Sequence, residues 1–372
     1  RGDCFSILGV AREVAILNNL KLKLPKSQTI YSTVDSPRNI SVCAMGPKYV
    51  GRFIENVDLS LKTPDLIAER LEISDNRLID PVVDITNYVL LELGQPLHAF
   101  DHDKLVGDIK IRFAKEAEEL TLLDETKISL NKDCLVIADK KGSIAFAGIM
   151  GGLDSSVTDS TKSIYLESAY FKPEAIRGKA RRFGLQTDAS MRFERGVDFN
   201  IQELAIERAS ELLNKSVGGH FGPLQVVTEK KSLPKQNKVS VNISSVNSIL
   251  GANFSKTKVK SYLAGLGLSP QIKKETVKTL IPSWRYDLSI EADLIEELAR
   301  LEGYNKLPTE SLQPLSKKKE VTNSHKVSSF LVSQGYSEVI TYSFIDEQDA
   351  NLGSITKNHL IVSNPISQNM SV

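Results

Sequence analysis

Two short polar stretches do most to limit the folds open to this chain. Thr228–Lys238 is lysine-rich, and Glu310–Glu320 carries the run Lys317-Lys318-Lys319. Neither holds enough apolar surface to join a core, so each reads as a linker, and the lysine run as a solvated face. A third boundary falls in Leu24–Pro37, where two prolines stand among small polar residues. The 372 residues therefore divide into 1–34, 35–227, 233–308 and 320–372.

Within these pieces the signals alternate between helix and strand without a regular βαβ repeat, which predicts an α+β, multidomain chain. Ser6–Asn19 reads as an amphipathic helix with Val10, Val14 and Leu17 on its buried face. Thr63-Pro64 is a helix start, a hydroxyl cap followed by proline. Pro81–Leu93 is a helix with Val82, Ile85, Val89 and Leu93 inward and Gly94 as its stop. Strands are expected at Ile109–Phe113, Leu135–Ala138, Ile144–Ala147 and Ile164–Glu167. Pro173–Phe183 reads as one basic helix, and Ile201–Leu212 as an amphipathic one. Past the first linker, helices around Ile249, at Val259–Leu266 and at Ile290–Leu301, with a strand at Val277–Ile281, fit a winged-helix-like module. A helix at His325–Gln334 and a strand at Ser337–Phe344 open the last piece. Arg1 in place of methionine, and a turn-like Asn364-Pro365 close to Val372, lead us to expect that both ends continue.

Apolar residues at 41% and charged residues at 25% allow sizeable cores. Lysine plus arginine (47) nearly cancel aspartate plus glutamate (46), which argues against a sequence-blind DNA packager but not against a local RNA contact. The three cysteines, Cys4, Cys43 and Cys134, form no CxxC pair, so neither a zinc site nor a disulfide framework is supported. A reducing, cytoplasmic setting is expected, and no apolar run approaches the roughly 20 residues that span a bilayer.

The densest polar cluster is Thr86-Asn87-Tyr88 with Gly94-Gln95-Pro96-Leu97-His98-Ala99-Phe100-Asp101. Asn87 and His98, joined by a helix–turn–strand, can position a water or a carbonyl; equally, they can be a capping amide and a satisfied buried histidine. His98, Asp101, His102 and Asp103 match no zinc spacing. Gly148–Gly152 is a glycine-rich turn that permits close backbone approach to a ligand, or an ordinary hairpin turn. Glu167 ends an apolar strand, where an inward carboxylate needs a donor and a ligand hydroxyl would serve; an outward one needs nothing. Arg177, Lys179, Arg181, Arg182, Arg192 and Arg195 form a basic concentration suited to phosphate or to solvent. Asp287, Asp293, Glu296 and Glu297 suit a hard cation such as Mg²⁺, or a helix start with arginine partners.

Taken in order, Arg1-Gly2-Asp3-Cys4 with Leu8-Gly9-Val10-Ala11-Arg12-Glu13, Val82–Asp101, the Gly148–Gly152 turn, Arg181–Asp198, Pro282–Tyr304, Tyr336–Phe344 and Asn364-Pro365-Ile366-Ser367 resemble the beta subunit of bacterial phenylalanyl-tRNA synthetases. The resemblance implies the tail of an N-terminal domain (1–34) and a mixed α/β editing domain (35–227). It further implies a small winged-helix-like domain (233–308) and the start of an inactive, class II synthetase-like antiparallel domain (320–372). The editing pocket it implies uses Arg77, Asn87 and His98 around the reaction, and Gly148, Glu167, Thr187 and Ala189 around the substrate. It assigns Mg²⁺ to Asp287, Asp293, Glu296 and Glu297, near an alpha subunit that holds ATP. The implied partners are that subunit, in an α2β2 heterotetramer, and tRNA(Phe); no membrane is involved. A subunit that binds tRNA with a dead editing pocket is the other reading. Met45-Gly46-Pro47-Lys48-Tyr49 departs from the family's Cys-Pro-Arg-Tyr-like entry, which is expected to alter local packing or tRNA contact.

Tyrosine differs from phenylalanine by one hydroxyl. An apolar pocket rejects that hydroxyl only about a hundredfold, whereas a pocket built to bond it discriminates by roughly 10⁴–10⁵. Glu167, backed by the chain around Gly148, is the expected hydroxyl partner. His98, Asn87 and Arg77 are expected to orient ester and water without covalent catalysis.

Overall fold

The computed structural model describes residues 1–24, 28–36, 38–309, 322–353 and 358–372. Pro37 and the Lys317–Lys319 linker lie outside the described residues. The chain forms two compact units, Arg1–Thr309 and Glu310–Val372. The class is α+β with several sheets.

The larger core of the first unit lies between two sheets. One runs β1 (Ile40–Ser41), β4 (Ile109–Phe113), β7 (Leu135–Ala138), β8 (Ser143–Phe146), β9 (Met150–Gly151). The other runs β11 (His220–Phe221), β2 (Lys48–Glu55), β10 (Ser163–Tyr170), β3 (Leu97–Asp101), with β12 (Gln225–Thr228) also on β2. All pairings are antiparallel except β1 on β4. A ribbon of β5 (Glu118–Thr121) and β6 (Lys127–Leu130) stands beside them. In β2 and β10 every residue but Glu55 and Ser163 is buried, because one face meets the opposite sheet and the other meets helix. Helix α7 (Gln202–Ser216) lies on β2 and β10, α3 (Pro81–Leu93) packs on α7 and β3, and α1 (Ile7–Leu17) and α2 (Asp65–Ile73) pack on α3.

Local chemistry fixes α3. The Asp80 carboxylate accepts from the Val82 and Val83 amides, Pro81 fills the first turn where no N–H is needed, and Gly94 closes the helix at φ +80°. Gln95 then locks the turn. Its Nε2 donates to Ala169 O at 2.8 Å and its Oε1 accepts from Gln202 at 3.0 Å, both buried. That fixes the start of β3 against the end of β10.

Four expectations are corrected. Val10, Val14 and Leu17 of α1 are exposed; the helix packs through Leu8 and Gly9, since a Cβ on Gly9 would fall 1.8 Å from Asp3 O. Thr63 does not cap α2; its hydroxyl donates to buried Asp84 at 2.5 Å, and Pro64 precedes the helix without a side-chain bond. Pro173–Phe183 splits into α4 (Pro173–Ile176) and α5 (Lys179–Arg182), because Gly178 takes φ +73° between them. Ser337–Phe344 is not a strand; among the described residues it has no pairing partner, and Ile340 and Tyr342 stand in solvent. The described part of the second unit holds α11 (Asn323–Ser333) and α12 (Glu347–Gly353).

A second core serves the module after the linker. The sheet β13 (Lys238–Asn242), β15 (Thr276–Leu280), β14 (Gln271–Lys273) packs on α8 (Ile243–Leu250), α9 (Lys256–Gly265) and α10 (Glu291–Glu302). Val241, Val259, Leu263, Val277, Leu294 and Leu298 are its fully buried centre. No helix among the described residues is long and apolar enough to cross a membrane.

Candidate functional site

A cavity of about 90 Å³ opens between the two sheets of the large core. Strand alternation builds it. On β10 the odd residues Tyr165, Glu167 and Ala169 share one face; across the ladder Glu167 is opposite His98 on β3 and Gly51 on β2. His98 and Glu167 therefore enter the cavity side by side. The facing sheet supplies Ile137, Ala145, Phe146, Met150 and Gly151, and α6 (Asp188–Phe193) supplies Ala189 and Phe193.

The polar groups inside are few, and each holds a buried atom with no partner. Glu167 is 5% exposed, and its Oε2 has no hydrogen-bond partner; the same holds for His98 Nε2. Burial pushes the Glu167 carboxyl up to about 8, against a smaller downward pull from Tyr49. Burial also lowers the His98 imidazole to about 4, so it is neutral at pH 7. A neutral carboxyl and a neutral imidazole in an apolar cleft are suited to bonding uncharged hydroxyls. An imidazole that weakly basic orients a water rather than taking its proton.

Glycine is required at two points on the wall. Gly148 takes φ +68°, and a Cβ there would come within 3.0 Å of Ile176, Phe171 and Phe193. A Cβ on Gly151 would come 2.4 Å from His98 Cε1. His98 cannot yield freely, since its ring stacks edge-on against buried Phe100 at 4.4 Å. Gly151→Ala is therefore expected to displace the imidazole and to destabilise the fold by about 1–3 kcal/mol. Thermal melts and the His98 ring resonances check it; an unmoved ring would contradict the packing described.

Of the expected site residues, His98, Gly148, Glu167 and Ala189 line this cavity. Thr187 stands behind it, donating to Ile149 O at 2.8 Å and capping α6, so it orders a lining segment. Asn87, half-buried on α3, and Arg77, exposed after α2, are not on the cavity wall. Tyr49 was not foreseen. It is fully buried beside Glu167, and its phenol has no partner. The signal was Tyr49-Val50-Gly51-Arg52-Phe53, a strand whose glycine marks close approach. Gly51 lies under the Tyr165 hydroxyl. In Met45–Tyr49, a Cβ on Gly46 would press on Ile111 and Phe171, and buried Lys48 pairs with Glu203.

The carboxylates expected to hold Mg²⁺ do not converge. Arg285, 3% exposed, donates to Asp287 at 2.8 and 2.7 Å and to Glu297 at 3.1 Å. Arg300 takes Glu297 as well, at 2.6 Å. Asp293 accepts from the Ser289 and Ile290 amides at the start of α10, and Glu296 is exposed. Among the described residues no group of three or more His, Cys, Asp or Glu is placed to hold a metal, so these residues do not fit the ion as they stand. The basic concentration is also largely engaged internally: Arg192 is buried on Asp188 and Phe5 O, and Lys179 and Arg182 share Asp133.

Three family models match the chain: the B3/4 domain over residues 45–218, the tRNA synthetase B5 domain over 239–304, and the phenylalanyl tRNA synthetase beta chain CLM domain over 305–372. A phenylalanine–tRNA ligase beta subunit from Idiomarina loihiensis is 46% identical over 377 residues, covering 100% of this chain and 47% of that protein. One from Hahella chejuensis is 45% identical over 378 residues, covering 100% of this chain and 48% of that protein. The chain thus spans about half the length of the curated relatives it matches. A crystal structure of an N-terminal fragment of the beta subunit from Pyrococcus horikoshii aligns with a TM-score of 0.39 at 16% identity, over 82% of this chain and 84% of that one.

Proposed function

The chain belongs to the phenylalanine–tRNA ligase beta-subunit family, and from that membership we propose that its two-sheet cavity removes tyrosine wrongly esterified to tRNA(Phe). The observation that carries this reading is a buried Glu167 carboxyl with an unpaired oxygen, beside an unpaired His98, in an apolar cleft. A tyrosyl phenol supplies the missing partner. A phenylalanyl ring leaves the carboxyl unpaired, which costs about 1–3 kcal/mol per buried group and more if it is charged.

In the reaction, water attacks the ester carbonyl, the bond to the ribose oxygen breaks, and that oxygen takes a proton. His98 orients the water. Thr187, through Ile149, and Gly148 hold the wall that seats the ring. Asn87 and Arg77, which do not line the cavity, are given no contact with the ring in this reading. The whole protein would work in the cytoplasm with an alpha subunit, as α2β2, on tRNA(Phe). Charging with ATP and Mg²⁺ belongs to the alpha subunit, and no editing step runs through the metal.

The test is release of tyrosine from Tyr-tRNA(Phe) by the intact heterotetramer. Hydrolysis well above the spontaneous rate is expected. Loss of the ester only at its spontaneous rate would favour a subunit that binds tRNA with an inactive pocket.

A further inference from the structure

We propose that Tyr49 is a positioning residue of this cavity: once substrate is bound, its phenol donates to one Glu167 oxygen while the substrate hydroxyl bonds the other. The inference rests on the editing reading above. Tyr49 pairs with Ala169 and Gly51 pairs with Glu167, so the Tyr49 side chain lies diagonally beside Glu167 on one face of the sheet. At that spacing an aromatic side chain reaches its diagonal neighbour. No Cβ intervenes, because the residue opposite Glu167 is a glycine. Tyr49 has 0% exposure, and neither its hydroxyl nor Glu167 Oε2 has a hydrogen-bond partner.

Two orphaned buried groups side by side are costly unless a ligand completes them. A substrate phenol that bonds Glu167 would complete both, by fixing the carboxyl rotamer in which the Tyr49 bond closes. The other titratable groups facing Glu167 are His98 on β3 and Tyr165 on β10 itself; the Tyr165 hydroxyl is already committed to Gln225 at 2.5 Å. Glu167 raises the Tyr49 phenol further, after burial, so Tyr49 acts as a donor throughout the physiological range.

The test is Tyr49→Phe in the full beta subunit, assembled with its alpha subunit. Its hydroxyl has no partner in the free protein, so thermal stability should not fall. The kcat/KM for Tyr-tRNA(Phe) deacylation should drop about tenfold or more, chiefly through KM, with Phe-tRNA(Phe) deacylation unchanged. Loss of the donor should also move the apparent pKa of the kcat–pH profile, which reports the substrate complex, upward. Glu167→Ala is run in parallel. If it abolishes deacylation while Tyr49→Phe leaves both kinetics and pH profile unchanged, Tyr49 has no such role and the editing reading stands. If Glu167→Ala changes nothing, the editing reading itself fails.

Discussion

Glu167→Gln is expected to make the protein more stable at alkaline pH while abolishing its action on Tyr-tRNA(Phe). The stability part follows from burial. The native carboxyl titrates near 8, against an ordinary value of 4.5. Between those values the folded state keeps a proton that the unfolded state releases. The stabilising contribution is therefore complete below pH 4.5 and is lost as pH rises through about 8. Glutamine does not titrate, so the variant should escape a loss on the order of 3 kcal/mol between pH 5 and 8. His98 contributes the opposite trend in both proteins: it is neutral when folded, so its share is lost as pH falls from 6.5 through about 4. The difference between variant and parent isolates Glu167. Chemical denaturation at pH 5, 7 and 8.5 measures it; parallel curves would show that Glu167 is not buried as described. The deacylation rate should fall at least about a hundredfold, because the amide replaces the carboxyl O–H with an N–H fork of different geometry and cannot exchange its proton with the phenol.

Arg285→Met is expected to cost about 3–5 kcal/mol in the module of β13–β15 and α8–α10. The guanidinium is 1% exposed in its side chain and holds both Asp287 and Glu297, the latter at 5%. Removing it leaves the buried Glu297 carboxylate to Arg300 at 2.6 Å and Arg1 at 3.8 Å, without the guanidinium that shares its burial. Hydrogen exchange of the Val241, Val277 and Leu294 amides should accelerate sharply while those of β10 stay protected. Unchanged protection in the module would mean the network contributes little.

Much of this architecture was legible, for identifiable reasons. Pro81–Leu93 could be read because its apolar period, its proline and its glycine stop all agree. The strand β2 could not. Lys48 and Arg52 interrupt its apolar run, and only their partners Glu203 and Glu207, distant in sequence, explain their burial. Tyr49 was hidden for the same reason. The break at Gly178 needed a backbone angle that the basic composition of Pro173–Phe183 concealed. In α1, the apolar stripe of Val10, Val14 and Leu17 misled, since close backbone contact at Gly9 outweighs it. The carboxylates around α10 have a spacing that suits a cation and arginines equally, and only side-chain geometry separates the two.

The most direct measurement is the ratio of kcat/KM for deacylation of Tyr-tRNA(Phe) over Phe-tRNA(Phe) by the intact heterotetramer. A cavity that recognises a phenol through a buried carboxyl should favour tyrosine by roughly 10⁴ or more, and the ratio should collapse toward one in Glu167→Gln. A ratio near one in the parent protein, or a large ratio that survives the substitution, would contradict it.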